Sequence, residues 1–274
     1  MKLGLYLRNM GPQSTRPLIA EAARAAEEAG IDDLWVADHL ALAPEDSAGS
    51  DGRYVEPLVT LAFLAGITER VGLGVGVLIV PYRPALLMAK WVASIQELSG
   101  GRLILGVGVG WMDKEFRALG VDPRRRGATT DATLGFLHAC FERDEVEANG
   151  QTFLFRPRPP RPPIIVGGAP PHAIRRAVRF GEGWMPTAAH AEHLEAGIAS
   201  LREGMAAAGK PAPEVVLLQP LPVEDDARLA SRLAELAALG VTRVVHPWRY
   251  GDADEVARVA ARLVAARDAQ APSA

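Results

Sequence analysis

Short apolar runs alternate along this chain with longer amphipathic segments. The first run, KLGLYL, leads into a segment from Ser14 to Gly30 in which small apolar residues recur at helical spacing. Ser14 is expected to cap this helix, Pro17 suits its first turn, and Gly30 is typical of the residue that ends a helix. The pattern therefore predicts a strand followed by a helix, and the same unit recurs downstream.

Eight apolar runs are long enough to be strands. They cover residues 2–7, 33–37, 71–79, 102–110, 163–168, 183–187, 214–221 and 241–248. Most are apolar throughout rather than alternating, which is typical of parallel strands buried on both faces. Helical patterns separate and follow the later runs at 172–180, 191–208, 226–238 and 252–268. The count favours a closed (β/α)8 TIM barrel, formed by residues 1–274 as a single domain.

The segment of about residues 111–163 departs from this alternation. It predicts a long helix ending near residue 144, and then a hairpin, VEANGQTFLF, with Asn149 and Gly150 in the turn. The proline-rich stretch RPRPPRPP could be a stiff linker between domains. Because a strand pattern resumes at once, we interpret the whole segment as an insertion after the fourth strand.

Composition narrows the class of function. The chain is 49% hydrophobic, and its 30 basic and 33 acidic residues give a net charge of -3, so no positive field would attract nucleic acid or an anionic membrane. The N-terminal apolar run is too short for a signal peptide, no run of 18 apolar residues occurs, and Cys140 is the only cysteine. A soluble, cytoplasmic protein that acts on a small molecule is expected.

Candidate site residues lie toward the carboxyl ends of the predicted strands or just beyond them, where barrel active sites gather. They are Arg8, Asn9, Asp38, His39, Gly76, Val77, Pro81, Tyr82, Arg83, Gly108, Gly110, Trp111, Gly167, Gly168, Trp184, His246 and Trp248. Glycines and tryptophans outnumber charged residues in this set. Such a rim suits a flat aromatic ring that needs close approach of the backbone.

Three other chemistries fit the sequence poorly. The GVGVG stretch resembles a dinucleotide loop, but it is GxGxG rather than GxGxxG and follows the fourth strand. No HxH or HxxxH pair lies on a strand, and His190 and His193 only flank a helix start, so no metal site is expected. No GxSxG elbow presents a nucleophilic serine.

The stretch IIVGGAPPHAIRR admits two interpretations. Gly167 and Gly168 expose backbone amides just before a helix start, which is the usual setting of a phosphate cradle. An ordinary tight turn between a strand and a helix would also require glycine. The residues alone leave both interpretations open.

Five motifs in a fixed order resemble the luciferase-like oxidoreductase superfamily, and within it the branch that uses the deazaflavin coenzyme F420. They are LWVADHL, LGVGVLIVPYRPALLMAK, GGRLILGVGVGW, PPIIVGG and GEGWMP. The resemblance extends from residue 2 to about residue 250. It implies a (β/α)8 barrel with an inserted region after the fourth strand, and a homodimer that binds a small-molecule substrate.

The resemblance also implies roles for individual residues. Asp38 would contact the deazaflavin ring, and His39 would face the substrate as proton donor or acceptor. Gly76 and Val77 would form a bulge with a non-prolyl cis peptide behind the ring. The remaining cofactor contacts would be Ile79, Val109, Gly110, Gly167, Gly168, Pro170 and Pro171, the last four in the phosphate loop. The substrate pocket would include Trp111, Trp184 and His246.

One departure from the family pattern concerns the substrate. Trp111 stands where sugar-phosphate dehydrogenases of the family have a catalytic glutamate, so that activity is not expected here. An alternative to F420 is FMN, which would give an oxygen-dependent monooxygenase. A second alternative is a barrel that binds a flavin or deazaflavin without catalysis.

Overall fold

The computed structural model describes residues 1–187 and 191–270, so His190 lies outside the described residues. Eight strands form the barrel: β1 (Lys2–Tyr6), β2 (Asp33–Val36), β3 (Gly72–Ile79), β4 (Leu103–Gly108), β7 (Ile164–Gly167), β8 (Gly183–Met185), β9 (Glu214–Leu218) and β10 (Arg243–His246). All neighbouring strands are parallel, and β1 pairs with both β2 and β10. The sheet is closed, which confirms the predicted (β/α)8 barrel.

Helices cover the outside of the barrel. They are α1 (Arg16–Glu28), α2 (Pro57–Ala65), α3 (Ala85–Leu98), α4 (Asp113–Ala118), α5 (Arg126–Glu142), α6 (His172–Phe180), α7 (Ala191–Ala207), α8 (Asp226–Leu239) and α9 (Ala253–Asp268). Asp225 caps α8 and Asp252 caps α9, each accepting a hydrogen bond from a backbone N–H three residues on. Among the described residues, no helix has the length and hydropathy that crossing a bilayer requires.

The predicted cap of the first helix is wrong. Thr15, not Ser14, is the N-cap residue of α1, and its side chain makes no capping bond. The Ser14 hydroxyl instead donates to the Gly11 carbonyl oxygen at 2.7 Å, inside a preceding 3-10 turn, and accepts from Arg53 Nε at 2.8 Å. Because the Ser14 hydroxyl makes this local hydrogen bond, it does not cap the first turn of α1.

The segment between β4 and β7 adds nothing to the barrel sheet, because those two strands pair directly. It contains α4, α5 and an antiparallel hairpin, β5 (Glu145–Ala148) and β6 (Gln151–Leu154). Asn149 and Gly150 connect the hairpin strands with φ values of 52° and 75°. This is the two-residue turn that the Asn-Gly pair predicts.

The inside of the barrel is filled by a separate apolar cluster. Its buried members are Tyr6, Trp35, Ala37, Ile104, Ile165, Met185, Val216 and Val245. The Trp35 indole is fully buried and occupies the space that side chains on Gly4 and Gly74 would otherwise take. Trp35 is therefore a core residue, and the cavity described next lies above this cluster.

Candidate active site

A cavity of about 400 Å³ opens at the carboxyl ends of the barrel strands. Ten predicted site residues line it: Asp38, His39, Gly76, Val77, Ile79, Val109, Gly110, Trp111, Gly167 and Gly168. Gly108, at the end of the fourth strand, also lines it, as do residues that the sequence pattern does not single out, namely Tyr6, Ala37, Met185, Pro186, Thr187 and Leu218. The fold thus brings most of the predicted set together on one concave surface, within the size range of small-molecule sites.

Strand β3 carries the implied bulge. The peptide between Gly76 and Val77 is cis, and the pairing of β3 with β4 shifts register between Val75 and Leu78. Both features were expected from the resemblance, and both are confirmed. The bulge turns this stretch of backbone toward the cavity.

Glycines on two neighbouring strands make room for the Val77 side chain. A Cβ on Gly108 would lie 2.5 Å from Val77 Cγ2, and a Cβ on Gly167 would lie 2.7 Å from Val77 Cγ1. No real Cβ contact is that close. Gly108, the central glycine of GVGVG, is therefore explained by packing around the bulge rather than by a dinucleotide.

The Asp38 carboxylate points into the protein. Its Oδ2 accepts from the Ile79 amide at 2.8 Å and from Arg83 Nη1 at 2.7 Å, while its Oδ1 accepts from Arg83 Nη2 at 2.8 Å. The side chain has no exposed surface, and its burial, opposed by Arg83, raises the pKa of Asp38. The carboxylate ties the end of β2 to the bulged strand. Asp38 also lines the cavity, and its contact with the ring stays a prediction.

His39 is held by a buried carboxylate from the insertion. Its Nδ1 lies 2.9 Å from Glu115 Oε2, which also accepts from the Tyr82 hydroxyl at 3.0 Å. The other oxygen of Glu115 accepts from the backbone amides of Leu40 at 2.6 Å and Ala41 at 3.0 Å. Every group that faces this carboxylate is a donor or, in the case of Nδ1, can be one.

The charge state of Glu115 follows from these contacts. Burial opposes ionisation, but the hydrogen bonds from His39, Ala41 and Leu40 outweigh it and lower the pKa of Glu115 to about 2. An ionised carboxylate can only accept, so His39 Nδ1 must carry the proton. In the neutral form of this imidazole, Nε2 carries no proton and is available to the cavity that His39 lines.

Glu115 is absent from the residues that the sequence pattern predicts for this site. The pattern places the family acid at position 111, where this chain has tryptophan. A carboxylate nevertheless reaches His39 from α4, four residues further on. The available signal was an acidic residue beside the apolar Phe116 on a short helix, and both side chains are fully buried.

The three predicted substrate-pocket residues are in different places. Trp111 lines the cavity rim and is 70% exposed. Trp184 is buried outside the cavity lining, and its Nε1 donates to the Gly168 carbonyl oxygen at 2.8 Å, so it supports the loop after β7. His246 is buried against Trp248 and borders a separate groove of about 710 Å³. The structure does not bring Trp184 or His246 to the cavity.

The loop after β7 has few backbone donors for a phosphate. Pro170 and Pro171, joined by a cis peptide, have no N–H and do not line the cavity. The Gly168 amide donates to the Met185 carbonyl oxygen at 3.1 Å. Within the described part of the chain the amides of Ala169, His172 and Ile174 donate no hydrogen bond, so they are the donors left for a phosphate at the start of α6.

Comparison with known proteins assigns the family. The model of the luciferase-like monooxygenase family matches residues 7–273. The chain belongs to the luciferase-like family. This agrees with the order of the five motifs and with the cis bulge.

Two relatives within the luciferase-like family illustrate its range. An uncharacterized protein of Mycobacterium tuberculosis is 30% identical over 267 residues, covering 90% of this chain and 92% of that protein. The F420-dependent glucose-6-phosphate dehydrogenase of Kineococcus radiotolerans is 32% identical over 205 residues, covering 70% of this chain and 59% of that enzyme. The family thus contains F420-dependent oxidoreductases at this level of similarity.

Solved structures share the luciferase-like barrel. A monooxygenase from Streptomyces bottropensis superposes with a TM-score of 0.81 at 20% identity, covering 97% of this chain and 98% of that one. An F420-dependent secondary alcohol dehydrogenase, solved with an F420-acetone adduct, superposes with a TM-score of 0.78 at 18% identity and the same coverage. At these identities the likeness shows the fold alone.

Proposed function

We propose that this protein is an F420-dependent oxidoreductase that transfers a hydride between the deazaflavin and a small organic substrate. The observation that carries the proposal is the contact between His39 and ionised Glu115 at the edge of the cavity. A carboxylate that fixes one nitrogen of an imidazole leaves the other to exchange a proton, which is the usual arrangement of a general acid–base.

The cavity lining fits a flat deazaflavin ring. The bulge at Gly76 and Val77 offers bare backbone, and Gly108 and Gly167 prevent side chains from crowding it. When bound, the deazaflavin would supply or accept the hydride. Gly76, Val77, Ile79, Val109 and Gly110 are the residues that would hold the ring.

His39 would accept or donate the proton that accompanies the hydride transfer. Its Nε2 would accept a proton from the substrate in one direction and return it in the other. Glu115 would stabilise the protonated imidazole through the 2.9 Å contact with Nδ1. Apolar lining residues, including Val77, Val109 and Met185, would limit the access of water to this exchange.

The lining favours an uncharged substrate. No arginine or lysine occurs among the described residues that line the cavity. A sugar phosphate bound inside it would leave its charge without a basic partner, at a high cost in free energy. The glucose-6-phosphate activity of the relative is therefore not proposed for this chain.

An FMN-dependent monooxygenase is the second candidate. It is favoured by the description of the matching family model, which is that of luciferase-like monooxygenases. A barrel that binds a cofactor without catalysis is a weaker candidate, because a buried carboxylate that fixes one nitrogen of His39 serves no purpose in simple binding. The homodimer stays a prediction, supported by the exposed apolar residues Leu86, Leu87 and Trp91 on α3.

Fluorescence titration of the purified protein with F420 and with FMN tests the choice of cofactor. We expect F420 to bind more tightly, and Gly108→Ala to weaken it at least tenfold because the added Cβ displaces Val77 from the bulge. Gly127→Ala is the matched control, since its Cβ would lie 3.7 Å from its nearest neighbour. Binding of FMN alone would contradict the proposal.

A further inference from the structure

Tyr6 places a hydroxyl group at the floor of the cavity. It is the last residue of β1, and its ring belongs to the cluster inside the barrel, beside Ala37 and Met185. The residue is only 7% exposed, yet it lines the same cavity as His39. It is not among the residues that the sequence or the family resemblance assigns to the site.

The Tyr6 hydroxyl differs from those of two other buried tyrosines. Tyr82 donates to Glu115, and the Tyr250 oxygen accepts from the Arg8 amide at 3.0 Å. Within the described part of the chain, no hydrogen bond satisfies the Tyr6 hydroxyl, and burial raises its pKa well above the ordinary value. It is therefore a protonated donor. Its oxygen is not among the fully buried side-chain atoms that lack a partner, so the hydroxyl is open to the cavity and free to donate to a ligand or water there.

We propose that the Tyr6 hydroxyl donates a hydrogen bond to an oxygen atom of the substrate and so selects carbonyl and hydroxyl compounds. It is thus a specificity-determining residue that touches the substrate. The hydrogen bond between Tyr6 and a bound ligand does not depend on the proposed function. Only the statement that this ligand is the substrate of a hydride transfer rests on it.

The two polar groups of the cavity complement each other for an oxygen substituent. Tyr6 is a constant donor, whereas His39 Nε2 accepts when the imidazole is neutral and donates when it is protonated. A carbonyl oxygen has two lone pairs, so it can accept from Tyr6 and from a protonated His39 at once. An alkene has no lone pair, and its binding would leave the Tyr6 hydroxyl without a partner.

Ligand-observed NMR titration with two isosteric probes tests this assignment. Cyclohexanone has an oxygen where methylenecyclohexane has a CH2 group, and each is titrated into the wild type and Tyr6→Phe. We expect the ratio of ketone to alkene affinity to fall about tenfold in Tyr6→Phe, through loss of ketone affinity alone. A ratio of ketone to alkene affinity that is the same in both proteins overturns the assignment. That result would follow if a bound water satisfied the hydroxyl, or if both probes bound equally well to the two proteins.

Thermal unfolding without ligand separates this role from a structural one. Tyr6→Phe removes a hydroxyl that has no protein partner, so the Tm is expected to stay or to rise. Tyr250→Phe is the matched control, because it leaves the buried Arg8 amide without an acceptor; it should lower the Tm and keep the affinity ratio. A fall in Tm for Tyr6→Phe as large as that for Tyr250→Phe would overturn the assignment.

The cofactor proposal can fail separately. Both probes are titrated into protein without F420, so the ratio does not depend on the cofactor. If F420 fails to bind while Tyr6→Phe lowers the ratio, the proposed function is wrong and the role of Tyr6 stands. If F420 binds and the ratio of ketone to alkene affinity is unchanged, the assignment of Tyr6 is wrong and the proposed function stands.

Discussion

Two histidines follow barrel strands at the same end of the molecule and have different surroundings. His39 comes after β2, and its Nδ1 faces the Glu115 carboxylate at 2.9 Å. His246 ends β10, and its Nδ1 accepts from the Leu221 amide at 2.9 Å. The partner of Nδ1 decides the tautomer, so in the neutral imidazoles Nε2 of His39 is bare while Nε2 of His246 carries the proton. Position on the rim alone therefore does not identify a proton-transfer group.

Replacing each histidine in turn should give the largest contrast. His39→Ala is expected to keep cofactor binding and to lower turnover by about 10²- to 10⁴-fold, the usual contribution of a general acid–base. His246→Asn keeps an acceptor near the Leu221 amide and lies outside the cavity, so turnover should be unchanged. Steady-state kinetics with F420 and a panel of ketones and alcohols checks both, and equal losses in the two variants would remove the distinction.

Replacing Glu115 with glutamine should affect only the His39 side of the comparison. The glutamine side chain would place an amide nitrogen against donors that now bond to a carboxylate oxygen. Those donors lower the pKa of the Glu115 carboxyl group from 4.5 to about 2. At about 1.4 kcal/mol per pKa unit, we expect a loss of about 3 kcal/mol in the free energy of unfolding, together with lower turnover. Chemical denaturation at pH 7 measures the first quantity. A variant as stable as the wild type would show that Glu115 is not held as described.

The two sites should respond to acid in different pH ranges. Burial lowers the pKa of His246 from 6.5 to about 4, so the unfolded chain takes up a proton first and stability falls as the pH drops from 6.5 to 4. The lowered pKa of Glu115 contributes stability above pH 4.5 that is lost as the pH falls toward 2.

Thermal unfolding across pH 7 to 2 checks these two ranges. His246→Asn should flatten the upper range, and Glu115→Gln should flatten the lower one. A wild-type Tm that is constant between pH 6.5 and 4 would contradict the neutral state of His246.

Much of the fold could be predicted because it depends on periodicity. Each of the eight apolar runs overlaps a barrel strand, and the predicted helix at 172–180 is α6. Local turn chemistry was equally informative, as Asn149 and Gly150 show. The cis bulge at Gly76 came from the resemblance, since no periodicity indicates a cis peptide.

The site was less predictable because its key contacts join residues far apart in the chain. Glu115 lies 76 positions from His39, and nothing in the local pattern of the DKEF stretch links the two. Asp38 follows its strand as a contact residue would, but Arg83 takes up its carboxylate. Tyr6 reads as an ordinary strand residue, and only closure of the barrel places it in the cavity floor.

The position of the proton on His39 tests the account most directly. Long-range 1H–15N NMR spectra of histidine-labelled protein, recorded where the imidazoles are neutral, distinguish the two tautomers. We predict a protonated Nδ1 and a bare Nε2 for His39, with the opposite pattern for His246 as the internal reference. A His39 that carries its proton on Nε2 would contradict the proposed role of Glu115 and the proton transfer built on it.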